Sequence, residues 1–190
     1  MAEHPEPVSG DSANPDGDPN GDATKTYEVL TWPLFGEAVK ELARHVAASG
    51  YQPDIILAIA RGGLIPAGTL GYMLSVKNTF TMNVEYYTGV DQRLDMPVIL
   101  PPYLDLVDLE DQQFLVVDDV ADTGHTLQMV QDFCSPKVGE VRTAVLYHKP
   151  HSVIRPDFVW RHTDRWILFP WSAEDPVVGP KAGTTVASEK

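Results

Sequence analysis

Cysteine is almost missing from this chain of 190 residues: Cys134 stands alone. No intrachain disulfide can form and no cysteine-based zinc site is possible, so Cys134 is expected to pack on a helix face. Positive charge is scarce as well, with 14 Lys and Arg against 27 Asp and Glu and a formal net charge of −13. Sequence-independent binding to nucleic acid needs a basic face, and that class of function is excluded as an expectation. No apolar run reaches the roughly 20 residues of a membrane span. The N-terminus lacks the basic and apolar regions of a signal peptide, so the sequence reads as cytoplasmic. No G-x-x-x-x-G-K-[ST] phosphate loop occurs, which leaves a nucleotide-dependent phosphotransferase without support. Acidity does not exclude an anionic small molecule, because backbone N–H groups and one or two cations can hold a phosphate inside an acidic protein.

What is present is ordinary globular composition in one domain's length, 43% hydrophobic and 22% charged. Residues 1–25, rich in Pro, Gly, Asp and Asn, have almost nothing to bury and are expected to be a disordered acidic tail. The core domain is placed at 26–178, with a flexible tail over 179–190. Within it, Thr31 can cap a helix starting near Pro33, on which Phe35, Ala38, Val39, Leu42 and Val46 recur at helical spacing until Gly50 ends it. "DIILAIA" (54–60) is apolar throughout, as in a parallel strand covered on both faces. "GLIPAGTLGYML" suits a helix with Pro66 in its first turn, and "TFTMNVEYY" is β-rich. Residues 88 to about 108, with Pro97, Pro101 and Pro102, suit a long flap. "QFLVVDD" is a second buried strand, "HTLQMVQDFC" a helix and "VRTAVLYHK" a further strand. This alternation predicts an α/β fold, a mainly parallel sheet flanked by helices with a small hood or flap. Ligands in such folds bind beyond the carboxyl ends of the strands.

The unusual residues fall there. In "FLVVDDVADTGHTL" (114–127) the chain is expected to leave the sheet at Asp118-Asp119 and turn through "VADTGHT" into a helix. Residues Ala121 to Thr126 are small or hydroxylic apart from Asp122 and His125. They can offer consecutive N–H groups, a helix N-terminus and the Thr123 and Thr126 hydroxyls to one phosphate. Asp118 and Asp119, one step back, suit neutral hydroxyls such as a ribose diol, or a divalent cation. The arrangement describes a sugar phosphate. In "ILAIARGGLIPA", Arg61-Gly62-Gly63 follows the first buried strand; the glycines admit a close anion and Arg61 supplies a cationic fork. Further on come "LYHKP", ending at Lys149, and "RWILFPW", from Arg165 to Trp171.

The acidic strand end followed by D-T-G-x-T resembles the phosphoribosyl-pyrophosphate motif of the type I phosphoribosyltransferases. The Lys149-to-Trp166 spacing and the W-I-x-x-P-W pattern resemble the bacterial xanthine-guanine and hypoxanthine enzymes in particular. The resemblance implies a 5-phosphate held by residues 122–126, that is Asp122, Thr123, Gly124, His125 and Thr126, with Ala121 also in the phosphoribosyl-pyrophosphate site, and the family varies at the His125 position. It implies ribose hydroxyls on Asp118 and Asp119, and pyrophosphate on Arg61, Gly62 and Gly63, with a cis Ala60–Arg61 peptide. The base would meet Lys149 at its O6, the ring of Trp166 and the backbone of Ile167. Trp171 is divided evenly between a structural and a functional role. Asp122 is the candidate catalytic group, handling the purine N7 proton. Mg²⁺ is the implied cofactor, with Asp119 as its protein ligand. A homo-oligomer, dimer or tetramer, is expected, and neither nucleic acid nor membrane as a partner.

The implied reaction is transfer of 5-phosphoribose from phosphoribosyl pyrophosphate to N9 of a 6-oxopurine, in purine salvage. Two departures from the family pattern bear on base specificity. The flap "EYYTGVDQRLDM" matches only loosely, though Tyr86, Tyr87 and Arg93 are placed to close over the reacting centre, and Ser172 stands where an acid is frequent. The alternatives are transfer to orotate or another heterocycle, and a regulatory protein that binds phosphoribosyl pyrophosphate without turning it over.

Overall fold

The computed structural model describes residues 26–85, 88–89, 92–93, 98–100 and 109–179. The two expected tails, apart from Gly179, and the flap residues Tyr86 and Tyr87 lie outside the described residues.

Among the described residues there are three helices and ten strands, and the strands and helices read from the sequence are among them. Helix α1 (Trp32–Ala48) begins where Thr31 Oγ1 accepts the Leu34 N–H at 3.3 Å, with Pro33 in its first turn, and the chain turns away at Gly50, φ +78°. Its buried stripe, Phe35, Ala38, Val39, Leu42, Ala43 and Val46, is the periodic set expected. Helix α2 (Leu64–Met73) carries Pro66 in its first turn, where no intrahelical N–H is lost. Helix α3 spans His125–Cys134, and Cys134 is packed inside, its thiol pushed up to about 11 by burial.

The main sheet has the order β6-β3-β2-β7-β8-β9. Strands β3 (Asn78–Glu85), β2 (Ile55–Ala60), β7 (Gln113–Ala121), β8 (Glu140–His148) and β9 (Phe158–His162) are mutually parallel. Strand β6 (Val98–Leu100) joins β3 in the opposite sense. The apolar strands are covered on both faces. Ile56, Ala58, Leu115, Val117, Ala144 and Leu146 share a core with α1 and α2, whereas Ile55, Leu57, Ile59, Phe114, Val116 and Val145 share one with α3. Successive side chains of a strand point to opposite faces, so both sets must be apolar, which gives an unbroken hydrophobic run instead of alternation.

Two expectations need correction. Residues 88–108 are not one loop: their described part holds the two-residue strands β4 (Thr88–Gly89) and β5 (Gln92–Arg93), paired antiparallel, and then β6. Arg93 lies in β5. The acidic pair also does not mark the end of a strand, since β7 continues through Asp118 and Asp119 to Ala121. Its neighbour β8 stays alongside, with Asp118 opposite Val145 and Ala121 opposite His148. On the other side β2 pairs only as far as Ala58 with Val117. Beyond that point β7 has lost one strand neighbour, and the turn that follows β2 lies against it instead. The chain runs from β2 outward to β3, then returns to place β7 on β2's other edge, so this is the switch point where α/β sheets bind ligands.

Strands β1 (Tyr27–Val29) and β10 (Trp166–Leu168) form a separate parallel pair. This is the small hood. It is tied down by Leu30 N–H donating to the Leu168 carbonyl at 3.0 Å, and by Arg161 of β9 against Glu28 at 2.7 Å.

Candidate active site

The turn after β2 is shaped by its neighbour. A Cβ on Gly62 would overlap the Asp119 carboxylate, and one on Gly63 would fall 2.6 Å from the Ile59 carbonyl oxygen and 3.0 Å from the Asp118 Cα. Only glycine permits this approach, so Arg61-Gly62-Gly63 packs directly against the acidic pair. Arg61 itself is exposed, and the Ala60–Arg61 peptide is cis, as the resemblance implies.

Asp118 and Asp119 are half-buried. Among the described residues, neither is in an ion pair of the kind that joins Glu28 to Arg161 or Glu140 to Arg142. The Asp119 N–H donates to Asp118 Oδ1 at 2.9 Å. Burial, together with the Asp119 charge, holds the Asp118 carboxyl well above the usual carboxylate range. Burial likewise pushes Asp119 up to about 6, opposed by hydrogen bonds from the Val120 backbone and the Trp171 indole. Both acids are raised by lost hydration, and among the described residues no cation is paired with either. Ribose hydroxyls or a hard divalent ion would relieve them.

Past Ala121 the chain forms the phosphate-type loop. Asp122 and Thr123 are exposed, and Gly124 caps α3 in the left-handed region at φ +82°. His125 and Thr126 are not loop residues but the first turn of α3. The N–H groups of that first turn have no carbonyl within the helix to bond, which suits an anion. A Cβ on Gly124 would overlap Ser152 Oγ and lie 2.7 Å from Ile154 Cγ2 and 3.1 Å from Ile154 N. The loop is therefore pressed onto the segment that follows β8. Three backbone bonds connect or shape the two: Lys149 N–H to the Ala121 carbonyl at 3.0 Å, Val153 N–H to the Thr123 carbonyl at 2.9 Å, and Ser152 N–H to the Lys149 carbonyl at 3.1 Å.

Lys149 follows β8 directly and is buried, its ammonium donating to the Arg165 carbonyl. That bond brings it beside Trp166, whose ring is 48% exposed on β10, whereas Ile167 is buried in the core. An aromatic of this size left half open to solvent is available to a flat ligand. Trp171 packs in the hood, stacked on Phe169 at 4.9 Å and edge-on to Phe35 at 5.5 Å, while its indole serves Asp119. Structural support and the acidic pair thus meet in one side chain.

The residues expected at the site converge, apart from the flap. One was missed: His151 Nε2 lies 2.9 Å from Asp122 Oδ1. The only hint was a histidine two places beyond Lys149, too common a feature to single out.

Comparison with known proteins agrees. The phosphoribosyl transferase domain family matches residues 25–176. The xanthine-guanine phosphoribosyltransferase of Idiomarina loihiensis is 32% identical over 158 residues, covering 81% of this chain and 92% of that protein. Its counterpart in Ruegeria sp. is 33% identical, covering 82% and 90%. Among solved structures, a purine phosphoribosyltransferase from Pyrococcus horikoshii superposes with a TM-score of 0.69 at 36% identity, over 81% of this chain and 99% of that one. A Neisseria gonorrhoeae protein solved with bound ppGpp also gives 0.69, at 26% identity over 80% and 92%. A family model that spans residues 25–176 and relatives above 30% identity over four fifths of the chain settle the affiliation that the glycine turn and paired acids suggest: the chain belongs to the phosphoribosyltransferase family.

Proposed function

We infer that the chain is a purine phosphoribosyltransferase of salvage, moving 5-phosphoribose from phosphoribosyl pyrophosphate to N9 of a 6-oxopurine and releasing pyrophosphate. The observation that carries the base assignment is the Lys149 N–H bond to the Ala121 carbonyl. It joins the loop suited to a sugar phosphate to the lysine that stands beside Trp166, the pair suited to an oxo-base.

In this reading, Gly124, the first turn of α3 and the Thr123 and Thr126 hydroxyls take the 5-phosphate. Asp118 and Asp119 accept from the ribose hydroxyls, and Arg61 with the Gly62-Gly63 backbone takes the pyrophosphate. Trp166 covers the purine ring, Lys149 donates to its O6, and the Ile167 backbone lies beside the 2-substituent. As N9 bonds to the anomeric carbon, the bond to pyrophosphate breaks and its electron pair leaves with that group. The purine's N7 proton passes to the free oxygen of Asp122. The anomeric carbon is electron-poor in between, so the protein contributes positioning, charge placement and exclusion of water.

The donor set fits magnesium. Asp119 offers a hard oxygen beside the Gly62 cradle, and among the described residues no group of three or more acids, histidines or cysteines could hold a metal by itself. An ion here would share its coordination with substrate oxygens and water, and when bound it neutralises pyrophosphate charge. No described helix is long and apolar enough to cross a membrane.

The test is a panel of guanine, xanthine, hypoxanthine, adenine and orotate with phosphoribosyl pyrophosphate and Mg²⁺, reading nucleotide and pyrophosphate together. Equimolar products with a 6-oxopurine are expected. Turnover confined to adenine or orotate would overturn the base assignment, and no turnover with any base would overturn the enzyme reading.

A further inference from the structure

Asp122 sits between two anchored carbonyls. Ala121 accepts from Lys149 N–H at 3.0 Å and Thr123 accepts from Val153 N–H at 2.9 Å. The turn that faces it is equally fixed, because Ser152 N–H donates back to the Lys149 carbonyl at 3.1 Å and Ser152 Oγ donates to the Ile154 carbonyl at 3.0 Å. Both backbones are therefore held, and the Asp122 side chain keeps only its own rotations. His151 removes those. Its Nε2 lies 2.9 Å from Asp122 Oδ1, although both side chains are more than half exposed, at 61% and 53%. An exposed carboxylate with no partner would sample several rotamers, and each is lost when a proton must be taken at one point.

We propose that His151 is a positioning residue for the reaction: by donating from Nε2 to Oδ1 it fixes the Asp122 carboxylate so that Oδ2 faces the purine N7. The carboxylate has two oxygens and the two tasks divide between them. Both the neutral Nε2–H tautomer and the imidazolium can make this bond. His151 stands on the turn after β8, outside the acidic strand and the first turn of α3, and its side chain is bonded to Asp122, so its effect is expected at the proton-handling step. The proposal rests on the phosphoribosyl-transfer reading of Asp122 and deepens it.

The size of the effect follows from exposure. An ion pair in contact with water contributes little, about 0.2–1 kcal/mol, and the upper part of that range is equivalent to roughly a two- to fivefold change in rate. The experiment is steady-state kinetics, with the 6-oxopurine that the protein turns over fastest, on His151→Leu, His151→Gln, Asp122→Asn and the double variant His151→Leu/Asp122→Asn. His151→Leu should lower kcat by about two- to fivefold and leave KM for phosphoribosyl pyrophosphate unchanged. His151→Gln, whose amide nitrogen can reach the place of Nε2, should recover most of that loss. In the Asp122→Asn background the Leu substitution should cost nothing further. Parental kcat in His151→Leu overturns the proposal, as does a Gln variant no faster than Leu, or a full additional loss in the double variant. If Asp122→Asn is slow while His151→Leu is not, only His151 is misassigned. If Asp122→Asn keeps full kcat, the role of Asp122 falls and the proposal falls with it.

Discussion

Replacing Gly124 with alanine adds one methyl group at the tightest point of the site. Gly124 has φ +82°, and the left-handed region costs an L-residue about 1–2 kcal/mol. The added carbon would also meet Ile154 Cγ2 at 2.7 Å and Ile154 N at 3.1 Å, besides overlapping Ser152 Oγ. The serine hydroxyl can swing aside, but the Ile154 backbone is held by the turn beneath it. Overpacking of that kind adds about 1–3 kcal/mol. The sum, about 2–5 kcal/mol, is a large part of the 5–15 kcal/mol typical of a domain. At about 2–4 °C per kcal/mol for this size, the melting temperature should fall by roughly 4–20 °C. The relief available to the protein is to part the 149–154 segment from the phosphate loop, so KM for phosphoribosyl pyrophosphate should rise in the same variant. Gly36→Ala is the internal control. Gly36 lies inside α1, its φ is not positive and a Cβ there meets nothing within 4 Å. Alanine at that position should stabilise by about 0.5–1 kcal/mol. Differential scanning calorimetry of both variants decides the matter. A Gly124→Ala protein melting with the parent would refute the geometry of the loop, and a destabilised Gly36→Ala would refute the reasoning about open glycines.

Arg61→Ala should weaken phosphoribosyl pyrophosphate more than the nucleotide product, which lacks pyrophosphate; equal losses in calorimetric titrations with both ligands would make Arg61 structural. Lys149→Met should cut turnover of guanine and xanthine sharply while narrowing their advantage over adenine, because a site built on one hydrogen bond rejects partners that cannot make it. The same change leaves the Arg165 carbonyl without its donor and should cost about 1–3 kcal/mol of stability in a denaturant titration; an unaltered base profile would remove Lys149 from recognition. Trp166→Ala should weaken every purine alike by about 1–3 kcal/mol, since stacking ignores ring substituents. A loss confined to one base would contradict stacking.

Much of the chain's organisation was written locally. The helical stripe from Phe35 to Val46, the Thr31 cap and the unbroken apolar run of β2 each follow from neighbours in sequence, because helix and strand periods act over a few residues. The site's chemistry was legible for the same reason: Arg61-Gly62-Gly63 and the stretch from Asp118 to Thr126 are contiguous, and small residues beside acids are informative without a fold. What lay beyond reach was pairing between distant segments. Tyr27–Val29 and Trp166–Leu168 are three-residue strands, too short to show any period, and exist because each supplies the other's hydrogen bonds. Strand β9 was missed as well, since its run of Phe158 to His162 mixes apolar and basic residues on an edge with one neighbour. The extension of β7 to Ala121 was decided by β8, which runs on after β2 has stopped, and no property of Asp118 or Asp119 announces it. The contact between His151 and Asp122 spans 29 positions and depends on two turns being stitched back to back. Residue types thus settled what chemistry the chain carries. Tertiary packing settled which of those groups meet, because a hydrogen bond is made by position in space and the sequence encodes position only through the whole fold.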